Sequence, residues 1–217
     1  MNVSGMIRRG GLAAVAGAAL FLIADAWTLV EEYIIGGPER LSEQAMTTSW
    51  TFVSVMFLAG GILLMIGLVA LYARQAEAAG VLGLVGFLLT FVLMAMIVGA
   101  MWTFTFVAPS AAIEAPAFLD NENPSGPLMV GFMLSFMIFP LGWLLFGIAT
   151  FRARVFPKLA GGLLAVGALV AFAPLPAATL LLDIAVIWLG YSLFSERRER
   201  ATEGLARSEP DVQPQAH

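Results

Sequence analysis

Two carboxyl groups stand where a carboxyl group is expensive. Asp25 lies inside "FLIADAWTLVEEY" (Phe21–Tyr33) and Asp183 inside "ATLLLDIAVIWLGY" (Ala178–Tyr191), and no other acid interrupts an apolar run. Burying a charged side chain at the bilayer centre costs about 2.5–3.5 kcal/mol by insertion scales, less nearer the interface where these two fall, and such acids face a partner, water or a ligand rather than lipid. Paired within such a site, two carboxyls could keep water, bind a cation or share a proton.

Hydroxyl residues collect near both acids. Thr28 is one turn beyond Asp25, Thr179 is one turn before Asp183, and Thr51, Ser54, Thr103, Thr105 and Ser135 fall at a similar level in their own apolar runs. The expected site is an outward-facing, polar-lined pocket for a small ligand or cation, with Asp25, Asp183, Thr28, Thr179, Ser54 and Ser135 as its candidates. The competing expectation is structural. Each acid then bonds its neighbouring threonine and water at headgroup level, and only stabilises packing.

Much other chemistry is missing. The chain has no cysteine, which excludes thiol catalysis and thiolate metal sites, and its single histidine is the last residue, His217. No HExxH, GxSxG or phosphate-cradling glycine loop is present. The contexts "IADAW" and "LLDIA" lack the YD and GxGD patterns of intramembrane aspartyl proteases, and the only lysine, Lys158, lies in a loop. No catalytic residue, metal site, cofactor or nucleic-acid partner is therefore expected. "FLDNENPSG" (Phe118–Gly126) alternates oxygen ligands without EF-hand spacing and reads as a solvated turn, and "ERRER" (Glu196–Arg200) reads as a stop-transfer flank.

The elements that must position the two acids follow from composition. Of 217 residues, 60% are hydrophobic and only 12% charged, and the mean hydropathy is +0.90. A soluble domain carries about twice that charged fraction, so the expected class is an all-α integral membrane bundle. A segment needs about 20 residues to cross a bilayer. Six qualify as spans: Gly10–Tyr33, Ser49–Leu71, Ala79–Val107, Pro127–Phe151, Leu159–Ala173 and Pro176–Phe194, followed by a charged tail, 196–217, expected to be disordered. The fifth is short and must thin the bilayer, lean on neighbours or run on through Pro174. Pro140 should kink the fourth.

Charge sets the direction. Arg8, Arg9, Arg74, Arg152, Arg154, Lys158, Arg197, Arg198, Arg200 and Arg207 fall on the side of the termini, and only Arg40 falls on the other. The positive-inside rule places both ends in the cytoplasm, so the expected location is a bacterial cytoplasmic membrane. The start "MIRRGGLAAVAGAALFLIADA" also resembles a signal peptide, but its apolar character continues through Trp27, Leu29, Val30, Ile34 and Ile35.

A repeat ties the first and last spans together. "GGLAAVAGAAL" from Gly10, "AGVLGLVGFLL" from Ala79 and "AGGLLAVGALV" from Ala160 open the odd spans alike, while "LLMIGLVALYAR" (Leu63–Arg74) matches "LLFGIATFRAR" (Leu144–Arg154) with one gap. Three parallel helical hairpins would produce this pattern. Closing them around a core makes the first and sixth helices neighbours, which sets Asp25 and Asp183 at similar depth. The runs "LVALYARQAEAAGVLGLVGFLLTF", "MWTFTFVAPS" and "GWLLFGIATFRARVFPKLAGGLL" resemble a set of uncharacterised bacterial six-helix integral membrane proteins. That resemblance implies the architecture and carries no activity. The functional expectation is a non-enzymatic scaffold, sensor or accessory protein with an outward pocket. The alternative is a transporter or channel-like protein for a proton, cation or small solute using Asp25 and Asp183. The inner half offers Thr90 and Thr150 but no titratable stepping stone, which weighs against a proton path.

Overall fold

The computed structural model describes residues 3–121, 126–173 and 177–208. It is all-helical, with no strand among the described residues. In chain order the helices are α1 (Val3–Val30), α2 (Leu41–Gln44), α3 (Thr48–Trp102), α4 (Ala108–Glu114), α5 (Pro116–Leu119), α6 (Pro127–Phe132), α7 (Phe139–Ala153), α8 (Lys158–Val170) and α9 (Leu180–Ser208). Three described segments are long and apolar enough to cross a membrane, Gly5–Ile35, Thr48–Glu114 and Pro127–Ala153, with shorter apolar helices at Lys158–Val170 and Leu180–Ser195.

Helix α3 is two rods rather than one. Gly80 takes φ 57° and ψ −152°, a combination open essentially only to glycine, and the chain reverses there. Three contacts fix the antiparallel register of the arms 48–79 and 81–102. Tyr72 stacks on Phe87 with ring centroids 4.3 Å apart, Gly61 meets Val98, and the Trp50 indole N–H donates to the Phe104 carbonyl at 2.9 Å. Residues 72–78, between the spans expected at Ser49–Leu71 and Ala79–Val107, are helical. "YARQAEAA" (Tyr72–Ala79) is built from strong helix formers, so the helix continues until Gly80 releases it.

Six helical rods therefore close into a ring, each antiparallel to its neighbours. α1 packs on arm 48–79, arm 81–102 on α7, α7 on α8, α8 on α9, and α9 returns to α1. The rods meet through small residues. A Cβ on Gly17 would come 2.7 Å from the Gly60 carbonyl, one on Gly86 2.7 Å from the Phe146 nitrogen, and one on Gly167 2.8 Å from the Leu182 nitrogen. No real side chain fits at such distances, so close backbone approach is what these contacts use. Gly11 and Gly190 close the ring between α1 and α9, with the Arg8 guanidinium 4.8 Å above the Phe194 ring at the same end. The interior is filled by Leu68, Leu71, Met94, Trp143, Phe146, Leu164 and Leu189, while Ile23, Ile66, Val81, Leu88, Val92, Leu159 and Val166 stay exposed on the outer surface.

At the end of the bundle away from the termini the rods lose regularity. α1 passes into a π-helical turn at Glu31–Ile35, arm 81–102 into one at Thr103–Val107, and α6 into one at Met133–Met137. The last turn stops at Ile138, and α7 restarts at Phe139 with Pro140 in its first turn. This is the interruption expected of a proline that has no N–H to give. The short helices α2, α4 and α5 cap this end. Asp120 clasps them, its two oxygens accepting from the Ser42 backbone N–H at 2.9 Å and the Ser42 hydroxyl at 2.8 Å. Those bonds hold the Asp120 carboxyl below its ordinary value of 3.8. Helix α8 ends at Val170, and a continuation of the fifth rod through Pro174 lies outside the described residues. The backbone of α9 stays helical to Ser208, while 209–217 of the expected tail lie outside the described residues.

Candidate functional site

The ring closure brings the first and last rods together, and with them the two acids. Asp25 is on α1, and Asp183 is in the first turn of α9, its backbone N–H donating to the Thr179 carbonyl at 3.1 Å. The two side chains hydrogen-bond to each other, and Asp25 also bonds the Thr179 side chain. Two fully charged carboxylates have no proton to place between them. A hydrogen bond between them therefore requires one of the two to hold a proton. Asp183 is 2% exposed. On each acid Oδ2 is buried without a hydrogen-bond partner. Buried polar atoms are rarely left so, and an orphan of this kind points to a group that completes it.

These oxygens border a cavity of about 250 Å³. Every rod contributes to its wall: Phe21 and Asp25 from α1, Phe57 from arm 48–79, Ile97 and Met101 from arm 81–102, Phe136, Phe139 and Pro140 around the π-helical interruption, Ala171 after α8, and Thr179, Leu182 and Asp183 at the start of α9. Phe21 and Phe57 meet edge to face with centroids 5.0 Å apart. Among the described residues the wall is hydrocarbon and aromatic apart from the two acids and Thr179. No lysine, arginine or histidine is among its described residues.

The structure divides the expected polar lining. Of the six candidates it gathers Asp25, Asp183 and Thr179 and leaves Thr28, Ser54 and Ser135 out of the cavity wall. Thr28 is exposed and donates to the Ala24 carbonyl at 2.9 Å, while Ser54 is buried and donates to the Thr51 carbonyl at 3.2 Å. Thr103 and Thr105 likewise donate to the carbonyls of Gly99 and Met101. A hydroxyl in a helix satisfies itself on the preceding turn, so its presence in an apolar run does not report which way a cavity lies. Ser135 is buried, 7% exposed.

A second hollow, about 410 Å³, is lined by Thr28, Glu31, Glu32, Gly37, Pro38, Gln44, Thr47 and Trp50. Two of these residues, Glu31 and Glu32, are acidic. At the opposite end, sequence reasoning missed Gln75. It is 1% exposed, and its Nε2 donates to the Thr150 hydroxyl at 2.9 Å, while its Oε1 has no partner. Its place beside Arg74 makes it look like an interface residue, and only the packing of arm 48–79 on α7 turns it inward. The Trp143 indole N–H is also buried without a partner. No cluster of three or more acidic or histidine side chains suited to a metal occurs among the described residues.

Set against known protein families, characterised proteins and solved structures, the chain matches none of them.

Proposed function

We propose that this chain is a six-span bacterial cytoplasmic-membrane protein with both termini inside. On this reading it acts as a non-enzymatic sensor or accessory protein that holds a small ligand in a cavity reached from the outer side. The observation that carries this reading is the Asp25–Asp183 pair, each acid with an orphaned oxygen beside a cavity walled by all six rods.

The membrane assignment is supported by the exposed apolar faces of every rod and by the reversal at Gly80, which makes two spans of one 55-residue helix. Trp27, Trp50 and Trp102 sit at one level, as an interfacial belt would. The ten-to-one split of basic residues supports the orientation. Helix α8, 13 residues long and so about 20 Å, crosses only with help from its neighbours or a locally thinned bilayer. The threefold hairpin repeat gains support from Gly17, Gly86 and Gly167. They occupy the same position in the three opening motifs, and each packs on the backbone of the even-numbered rod of its own hairpin.

A receptor-like role is favoured over transport because the cavity is one-sided. Toward the termini the space between rods is filled by Leu68, Leu71, Phe146, Leu164 and Leu189, each at most 1% exposed. The transporter alternative needs that core to part. Reconstituted protein tests the two. The proposal expects saturable ligand binding that weakens in Asp25→Asn and Asp183→Asn, with no flux above empty vesicles across proton, cation or solute gradients. Sustained flux abolished by the same substitutions would favour transport.

A further inference from the structure

We propose that the cavity takes a small primary amine bearing an apolar body, with its ammonium group on the Asp25 and Asp183 carboxyls. This rests on the ligand-holding reading above and names the ligand's class. Three features select it. First, the charge balances: a carboxyl pair sharing one proton carries a single negative charge, and one ammonium neutralises it with no other ion. Second, the donors match. Both Oδ2 atoms lack partners, and a primary ammonium brings three N–H donors where a quaternary one brings none. Third, the remaining wall is the wrong chemistry for a bare metal ion and the right one for hydrocarbon. Calcium takes six to eight oxygens, whereas this site offers two carboxyls and one threonine hydroxyl among Phe21, Phe57, Phe136, Phe139, Met101 and Ile97.

Size narrows the class. The cavity of about 250 Å³ corresponds to roughly eight waters at about 30 Å³ each, which suits a single ring with a short aminoalkyl chain. The aromatic walls cover the body and also favour a nearby cation through their ring faces.

The test uses full-length protein in lipid nanodiscs, with phenethylamine as probe and two matched bodies as controls, 2-phenylethanol (neutral) and 3-phenylpropionate (anionic). Calorimetric titration at pH 7 is expected to show saturable phenethylamine binding at least tenfold tighter than either control. Asp183→Asn and Asp25→Asn should each weaken it tenfold or more, and Phe57→Leu by a few fold with the preference for the amine kept. Should an Asn variant fail to fold, the comparison of the three ligands on the unaltered protein decides alone. Equal binding of all three overturns the inference, since charge is then not read. Binding of sodium, calcium or zinc that depends on Asp183, with no phenethylamine binding, overturns the amine assignment and leaves an outward cation site standing. No binding of any probe, with Asn variants altered only in thermal stability, overturns the ligand-holding reading as well.

Discussion

The two halves of the bundle are built on different rules. Toward the termini the rods touch backbone to backbone through Gly11, Gly67, Gly86, Gly147 and Gly161, and the interior is filled by fully buried Leu, Met, Phe and Trp side chains. At the other end three π-helical turns interrupt the rods, short helices replace spans, and the interior opens into a cavity with two acids. A π turn misaligns one backbone bond and commonly marks a functional site. Of these turns only Met133–Met137 reaches the cavity wall, through Phe136. The contrast teaches that one chain composition supports both a closed and an open half. Small residues set rod spacing through the closed half and up to the cavity edge, where Gly167 packs on Leu182.

Breaking the closed half should have the largest effect. A side chain at Gly86 meets the Phe146 nitrogen at 2.7 Å and the Leu145 carbonyl carbon at 2.9 Å, so Gly86→Val must push arm 81–102 off α7. Overpacking of this kind costs about 1–3 kcal/mol or more, and the expected outcome is loss of most folded protein on a detergent thermal-unfolding assay. Gly99, with nothing within 4 Å, is the control. Gly99→Ala should leave stability unchanged or raise it by up to about 1 kcal/mol.

A smaller effect is expected at the polar contact in the closed half. Thr150→Val removes the acceptor of the Gln75 amide, adding a second unmet group to its already orphaned Oε1. The cost should be about 1–2 kcal/mol. Adding Gln75→Leu to Thr150→Val should recover most of it, because no polar atom of that pair is then left buried. A double-mutant cycle read by thermal unfolding checks the recovery.

The smallest effect belongs to the clasp over the open half. The Ser42 bonds lower the Asp120 carboxyl in the folded state, so its contribution is fully present above the ordinary value of 3.8 and disappears as pH falls through the lowered one. Asp120→Asn should loosen α2 from α5 at neutral pH, reproducing in the variant what strong acid does to the unaltered chain. Amide exchange at Ser42 should quicken in both cases, with the remaining rods unaffected.

The rods were legible because their signal is length and hydropathy, which no tertiary contact can hide. The adjacency of α1 and α9 was expected of hairpins closing around a core and is observed, whereas the contact of Asp25 with Asp183 could be seen only in the structure. The rest depended on side-chain direction. Ser54, Thr103 and Thr105 look like cavity residues by type, yet each spends its hydroxyl on its own helix. The actual wall is phenylalanine, isoleucine and methionine, indistinguishable by type from residues that face lipid. Gln75 was hidden for the converse reason, a polar residue beside an arginine whose orientation only packing decides.

The central claim is that the acid-bearing cavity opens to the side opposite the termini. The absence of cysteine makes a single introduced thiol a clean reporter. In intact spheroplasts, Thr179→Cys, which sits on the cavity wall beside Asp25, should react with a membrane-impermeant thiol reagent. Ala206→Cys in the charged tail should react only after the membrane is permeabilised. Labelling of Ala206→Cys in intact spheroplasts with Thr179→Cys silent until permeabilisation would contradict the account.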